Sequence, residues 1–209
     1  MVCHNLPVHM RYQLENVYIA SIIPGPQEPS YYYLNHVLQP LVDDLSHCWS
    51  PGLQLTCTAL HTFGCLVRCV VVLLVCNLPA ARKMAGLAGL GKAYGKFCSF
   101  CQQDSADFKN TDISSWPQRS WQEHLSIARM WKDAETESIR QQIYGTFGIQ
   151  WTELLWLPYW DPTHFIVVKA MHNFFLGDLQ HHCQNVFGMD AEEKLDGSHI
   201  QPHVSNSEG

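Results

Sequence analysis

The stretch CLVRCVVVLLVCNLPAARKMAGLAGLGKAYGKFCSFC, from Cys65 to Cys101, decides how this chain is read. Its first part, Cys65 to Cys76, is apolar and valine-rich apart from Arg68. That is the composition of a central strand covered on both faces. The run is too short to cross a bilayer, which takes a helix of about 20 apolar residues, and Asn77, Pro79, Arg82 and Lys83 close it. Pro79 is placed to open a short helix. Gly86, Gly89, Gly91 and Gly95 then loosen the backbone before Cys98-Ser-Phe-Cys101 tightens it again.

Upstream of this stretch, Asn16 to Ile23 reads as a strand ended by Pro24-Gly25-Pro26. Ser30 is a plausible N-cap for a helix whose apolar face is Leu34, Val37, Leu38, Leu41, Val42, Leu45, Cys48 and Trp49, with Pro40 set to bend it. Ser50-Pro51-Gly52 marks a turn, Leu53 to Leu60 a strand, and His61 to Gly64 a hairpin connection into the valine-rich run. Downstream, Gln102 to Pro117 is polar and predicts a surface loop. Ser120 with Glu123 forms a capping-box pattern ahead of Trp121, Leu125, Ala128 and Trp131, and a second helix is expected over 134–145. An aromatic segment begins at Trp151. It leads to a short strand, Phe165 to Val168, and a helix from Met171 to Phe187 with His172, Leu176, Leu179 and Cys183 on one face. The polar residues from Ala191 onward predict a disordered tail.

A hydrophobic content of 46% against 15% charged residues, with seven tryptophans, excludes the disordered class and demands a core. A net charge of −6 argues against a stand-alone nucleic-acid binder, because phosphate neutralisation requires a basic stripe. The nine cysteines are odd in number and mostly embedded in apolar segments. They predict buried thiols in a reducing compartment rather than a disulfide framework. The first residues, MVCHNLPVHMRYQLENVY, lack a signal-peptide pattern, so an intracellular protein, nuclear or cytoplasmic, with no membrane partner is expected.

Two cysteines three residues apart can supply half of a tetrahedral zinc site, since a tight turn brings both thiolates to about 2.3 Å from the ion. Cys98 and Cys101 have that spacing, while His172, His181, His182 and Cys183 form the cluster from which other ligands would come. His172 and His181 lie about half a turn apart around a helix and so face different directions. Taken singly, each histidine is better explained by a hydrogen-bonded structural role. Gly86 to Gly95 lacks the form of a phosphate-binding loop, and no G-x-S-x-G is present. Glu15, Asp43, Asp44, Glu153, Asp161 and Asp178 are scattered. Residue types and spacing alone therefore point to no enzyme.

Several segments together carry a resemblance. They are Glu15-Asn-Val-Tyr-Ile-Ala-Ser-Ile-Ile-Pro-Gly-Pro, Leu41-Val-Asp-Asp-Leu, Leu66-Val-Arg-Cys, the Asn77-Leu-Pro-Ala turn followed by Cys98-x-x-Cys101, Leu157-Pro-Tyr-Trp160, and Met171-His172. In order and spacing the chain resembles transposases of CACTA (En/Spm-type) DNA transposons from Met1 to about Asp190. The resemblance implies an α/β, ribonuclease-H-like fold in which three acids hold two divalent ions, magnesium or manganese, for cleavage and transfer of DNA strands. It places the first acid upstream of the part matching Met1 and the third downstream of the C-terminus. The second belongs in an Asp-x-Pro-Ala turn, where this chain has Asn77-Leu-Pro-Ala80, and a further Asp-x-Met-His motif reads Lys169-Ala-Met-His172.

The expectation is thus a truncated, catalytically inactive remnant. Residues 1–101 would be a partial ribonuclease-H-like core ending in the Cys-x-x-Cys turn, 102–190 the start of a mostly helical insertion, and 191–209 the tail. In the family the Cys-x-x-Cys is expected to bind zinc with histidines farther along, which makes Cys98 and Cys101 the metal candidates here and His172 a further one. DNA is the partner in the parent family, and self-association or association with full-length transposase is the expectation for a remnant. Two rivals are a zinc-dependent or protein-protein binding module retained from a transposase, and an unrelated metal-dependent hydrolase using His172 with Asp161 or Asp178.

Overall fold

The computed structural model describes residues 1–89, 98–107, 109–169 and 171–189. They form two compact units, Met1–Val168 and Lys169–Gly209. The first unit mixes helices with two small two-stranded sheets.

The chain opens with a single helical turn, α1 (Val8–Arg11), and a 3-10 turn, Leu14–Asn16. The strand expected from Asn16 to Ile23 does not form. Beyond the isolated bridge between Val2 and Val17 this segment has no ladder, and Tyr18, Ile19 and Ile22 stay exposed. A strand exists through its partner's hydrogen bonds, and those described here stop at the contact of Val17 and Tyr18 with the first two residues. Helix α2 (Tyr31–Trp49) follows as the periodicity predicts. The Ser30 hydroxyl accepts the Tyr33 N–H at 3.4 Å, the helix continues through Pro40, and Leu34, Leu38, Val42 and Leu45 make one buried stripe.

The valine-rich run departs most from expectation. Instead of one central strand it gives two short ones. Strand β1 (Leu53–Leu55) pairs antiparallel with β2 (Cys65–Val67), Leu53 opposite Val67. The chain then leaves the ladder, and β3 (Leu74–Cys76) pairs parallel with β4 (Ile166–Val168), Leu74 opposite Ile166. No residue from 65 to 76 is fully buried. Val71, Leu74 and Cys76 pack against the core while Leu66, Val70, Val72, Leu73 and Val75 face outward. A strand buried on both faces needs layers on both faces, and among the described residues only one side is covered. The predicted hairpin connection does join β1 to β2. Gly64 turns there at φ +86°, where a Cβ would collide with the Leu55 carbonyl oxygen.

Helix α3 (Leu78–Met84) leaves β3 directly. Helices α4 (Trp121–Asp133) and α5 (Glu137–Phe147) pack together, capped by Ser120 and Thr136, and Gly148 ends α5 in the left-handed conformation. The aromatic segment after Gly148 has little regular structure, a 3-10 turn (Glu153–Trp156) and the short α6 (Pro162–Phe165), yet it is the middle of the core. Ile149, Trp151, Leu154, Leu155, Leu157, Trp160 and Ile166 are buried against the stripe of α2, Ala81 and Ala85 of α3, and Ile127 and Ala128 of α4. Polar bonds pin it. The Asn35 amide donates to the Trp151 carbonyl and accepts the Glu153 N–H, and the Thr152 hydroxyl donates to the Met84 carbonyl at 2.8 Å, serving an orphan at the end of α3.

In the second unit the described chain is helical, with π-type spacing over Met171–Leu179 and His182–Val186, and Phe174, Phe175, Leu176 and Leu179 are exposed. The expected tail from Ala191 lies outside the described residues, as do Gly91 and Gly95 of the glycine-rich approach to Cys98. No described helix is long and apolar enough to cross a membrane.

Candidate functional site

Two sequence features singled out for chemistry, the Asn77 turn and the Cys98–Cys101 turn, are tied together by one buried side chain. Asn77 sits at the junction of β3 and α3 and is the N-cap of that helix. Its amide oxygen accepts the Ala80 N–H at 3.0 Å, and Pro79 occupies the first turn, where its missing N–H leaves nothing unsatisfied. The chain leaves α3 through Gly86, at φ +76°, where a Cβ would collide with the Gln150 carbonyl oxygen. That close approach lets Gly86 accept the Gln150 N–H at 2.9 Å and Ala88 donate to the Gly148 carbonyl at 2.8 Å.

Arg82, on α3, is the tie. It is 1% exposed, and its Nε donates to the Ala88 carbonyl at 2.6 Å while Nη1 donates to the Ser99 hydroxyl, between the two cysteines, at 2.8 Å. Arg119, just before α4, holds the other side of the turn, its Nε donating to the Cys98 carbonyl at 3.0 Å.

Within the turn the two thiols differ. The Phe100 N–H donates to Cys98 Sγ at 3.4 Å. Burial pushes the Cys98 thiol up, but the N–H groups of Phe100 and Cys101, the Cys101 thiol and the Arg119 charge outweigh it and leave Cys98 below the ordinary thiol range. Cys101 is 2% exposed, and burial, with the neighbouring Cys98, raises it. Cys98 is therefore the more acidic thiol of the pair, with Cys101 in contact with it. A site of this form offers a soft metal two sulfur ligands.

The histidines of the predicted ligand cluster belong to the second unit. The side chain of His172 lies outside the described residues. Lys169, His181 and His182 are exposed in the second unit. Asp161 is spent locally as the cap of α6: its carboxylate accepts the Thr163 N–H at 2.8 Å and contacts His164 Nδ1 at 2.8 Å. Those bonds hold it below the usual carboxylate range although burial pushes it up. Among the described residues no three His, Cys, Asp or Glu side chains group closely enough to hold a metal ion.

Sequence reasoning passed over Arg82, Arg119 and His124. His124, on α4, is 2% exposed, neither ring nitrogen has a hydrogen-bond partner among the described residues, and burial drives its pKa down to about 4. It lines, with Arg119, Glu123 and Ile149, a cavity of about 180 Å³ beside the cysteine turn. The signal for Asn77 is present in the sequence, since Asn two residues before a proline at the head of a helix is a cap signature. No local signal announces a buried arginine or histidine.

Compared with known proteins, residues 1–138 match the model of the transposase family tnp2, a span that contains the Asn77 turn, Arg82, the cysteine turn and α4. No curated protein and no solved structure matches the chain.

Proposed function

The chain belongs to the transposase family tnp2, and from that premise we propose that it is a CACTA-type, transposase-derived protein with a ribonuclease-H-like core that no longer cleaves DNA. The observation that carries this reading is the role of Asn77. At the turn where the resemblance calls for the second metal-binding acid, the side chain is a neutral amide whose oxygen is engaged by the Ala80 N–H. A two-metal site works by charge, neutralising and orienting oxygens at both ends of a displacement, and an amide committed to a helix cap supplies none. Lys169, in place of the acid of the second motif, reverses a charge as well.

Incubation of the purified protein with duplex DNA and magnesium or manganese tests the proposal. Neither nicks nor joined strands should form. Asn77→Asp should keep the cap, hence the stability, and stay inactive, because one restored carboxylate does not make a two-metal site. Asn77→Ala should lose about 1 kcal/mol in urea unfolding. Metal-dependent cleavage by the unaltered chain that survives repurification overturns the reading.

The Cys98–Cys101 turn favours a second role, retained zinc binding in a protein-binding module. Zinc would supply a structural cross-link there, with both thiols deprotonated. Elemental analysis should find any tightly held zinc lost in the Cys98→Ser, Cys101→Ser double variant. Zinc retained undiminished in that variant places the site elsewhere.

A further inference from the structure

We propose that Cys48 and Cys69 form an oxidation site, a thiol pair that closes to an intramolecular disulfide and latches the β1–β2 hairpin to the end of α2. The two residues meet directly. The Cys69 N–H donates to the Cys48 carbonyl at 3.1 Å, joining the last turn of α2 to the residue two beyond β2. That bond puts the two backbones in contact, and a disulfide asks for Cα atoms roughly 4.4–6.8 Å apart. Both thiols are free and half-buried. Each raises the pKa of the Tyr159 hydroxyl, after its burial, and Cys69 helps raise Cys48, after burial and ahead of Asp44.

The hairpin has reason to need a latch. β1 is exposed along its length, and at its base the hairpin is held to α2 by Cys69 N–H to Cys48 and by Gly52 N–H to the His47 carbonyl at 3.0 Å. A bond between residues 48 and 69 closes that base covalently and removes freedom from the unfolded chain. In the step itself two S–H bonds break and one S–S bond forms. Two protons and two electrons pass to the oxidant; with hydrogen peroxide the O–O bond breaks and two waters form. In a reducing compartment the dithiol is the resting state and the disulfide a response to peroxide. The proposal is independent of the transposase reading and of any metal at Cys98 and Cys101.

The experiment treats the full chain with hydrogen peroxide, alkylates remaining thiols, digests and maps disulfides by mass spectrometry. A linked pair of peptides containing Cys48 and Cys69 is expected as the main intramolecular product that uses either residue. The oxidised protein should show a raised Tm that falls back on adding dithiothreitol. Cys48→Ser and Cys69→Ser should each abolish that reversible rise, and if a variant fails to fold, peptide mapping of the unaltered chain still decides. Cys48 and Cys69 remaining fully alkylatable under peroxide, or pairing with other cysteines instead of each other, overturns the proposal. So does an equal yield of the pair from chain oxidised in urea, because the fold would then not be directing it.

Discussion

From residue 65 to 76 the chain is almost wholly apolar and not one residue is fully buried; from 149 to 160 it interleaves Gln150, Thr152, Glu153 and Pro158 with its hydrophobics, and eight residues are buried. The difference lies in what surrounds each stretch. The first is covered on one side, so alternate residues of a strand-like backbone turn outward. The second is wedged among α2, α3 and α4, and its polar groups are what wedge it: Thr152 closes the end of α3, the Gln150 N–H pairs with Gly86, and Asn35 brackets both sides of Thr152. Apolar composition measures a segment's capacity for burial. The hydrogen bonds that let it lie inside without orphaned backbone decide whether the capacity is used.

The largest effect expected from this contrast sits at Trp160, which is 1% exposed and meets Phe165 edge-on with ring centroids 5.5 Å apart. Trp160→Ala should cost about 3–5 kcal/mol, through lost transfer energy and the cavity left behind. Val75, 57% exposed at the centre of β3, should cost under about 1 kcal/mol when changed to Ala. Urea unfolding of the two variants beside the parent makes the comparison. Equal losses would break it, because they would mean that the valine-rich run is buried after all.

Legibility from sequence follows the same division. Elements whose signals are local read correctly: α2 from the Ser30 cap and its apolar stripe, α4 from the Ser120 and Glu123 pair, and β4 within the predicted Phe165 to Val168. The failures share a cause. Asn16 to Ile23 and Cys65 to Cys76 have strand composition, but whether a strand forms, and which faces it hides, depends on partners distant in sequence. At the candidate site, Cys98 and Cys101 are legible because three-residue spacing is a local geometric fact. Their supports are not, since Arg82 reaches Ser99 and Arg119 reaches Cys98 from 17 and 21 residues away. Asn77 stands between the cases. Its cap role is local and readable, yet the resemblance directs attention to the missing charge and away from the hydrogen bond that replaces it.

The sharpest probe of how closed the buried side is comes from a polar residue within it. His124 shares its cavity with Ile149, at the head of the buried aromatic segment, and among the described residues has no hydrogen-bond partner for either ring nitrogen. Its pKa is driven down to about 4, first by burial and then by the Arg119 charge, with the Asp161 carboxylate opposing. In the unfolded chain the imidazole titrates near its ordinary value of about 6.5. Above that pH neither state binds the proton and His124 adds nothing to the pH dependence. As pH falls from about 6.5 to about 4 the unfolded chain takes up a proton that the folded chain refuses, so stability declines, by about 3 kcal/mol across the window. Asp161, held low by its partners, loses its contribution only at more acidic pH. Unfolding free energies at pH 7 and pH 4.5 should therefore differ less in His124→Gln than in the parent, whatever the two proteins' stabilities at pH 7. Equal differences would show that His124 titrates as a solvated histidine and that water reaches the wall against Ile149. The boundary between the covered and uncovered halves of the molecule would then run through α4 rather than outside it.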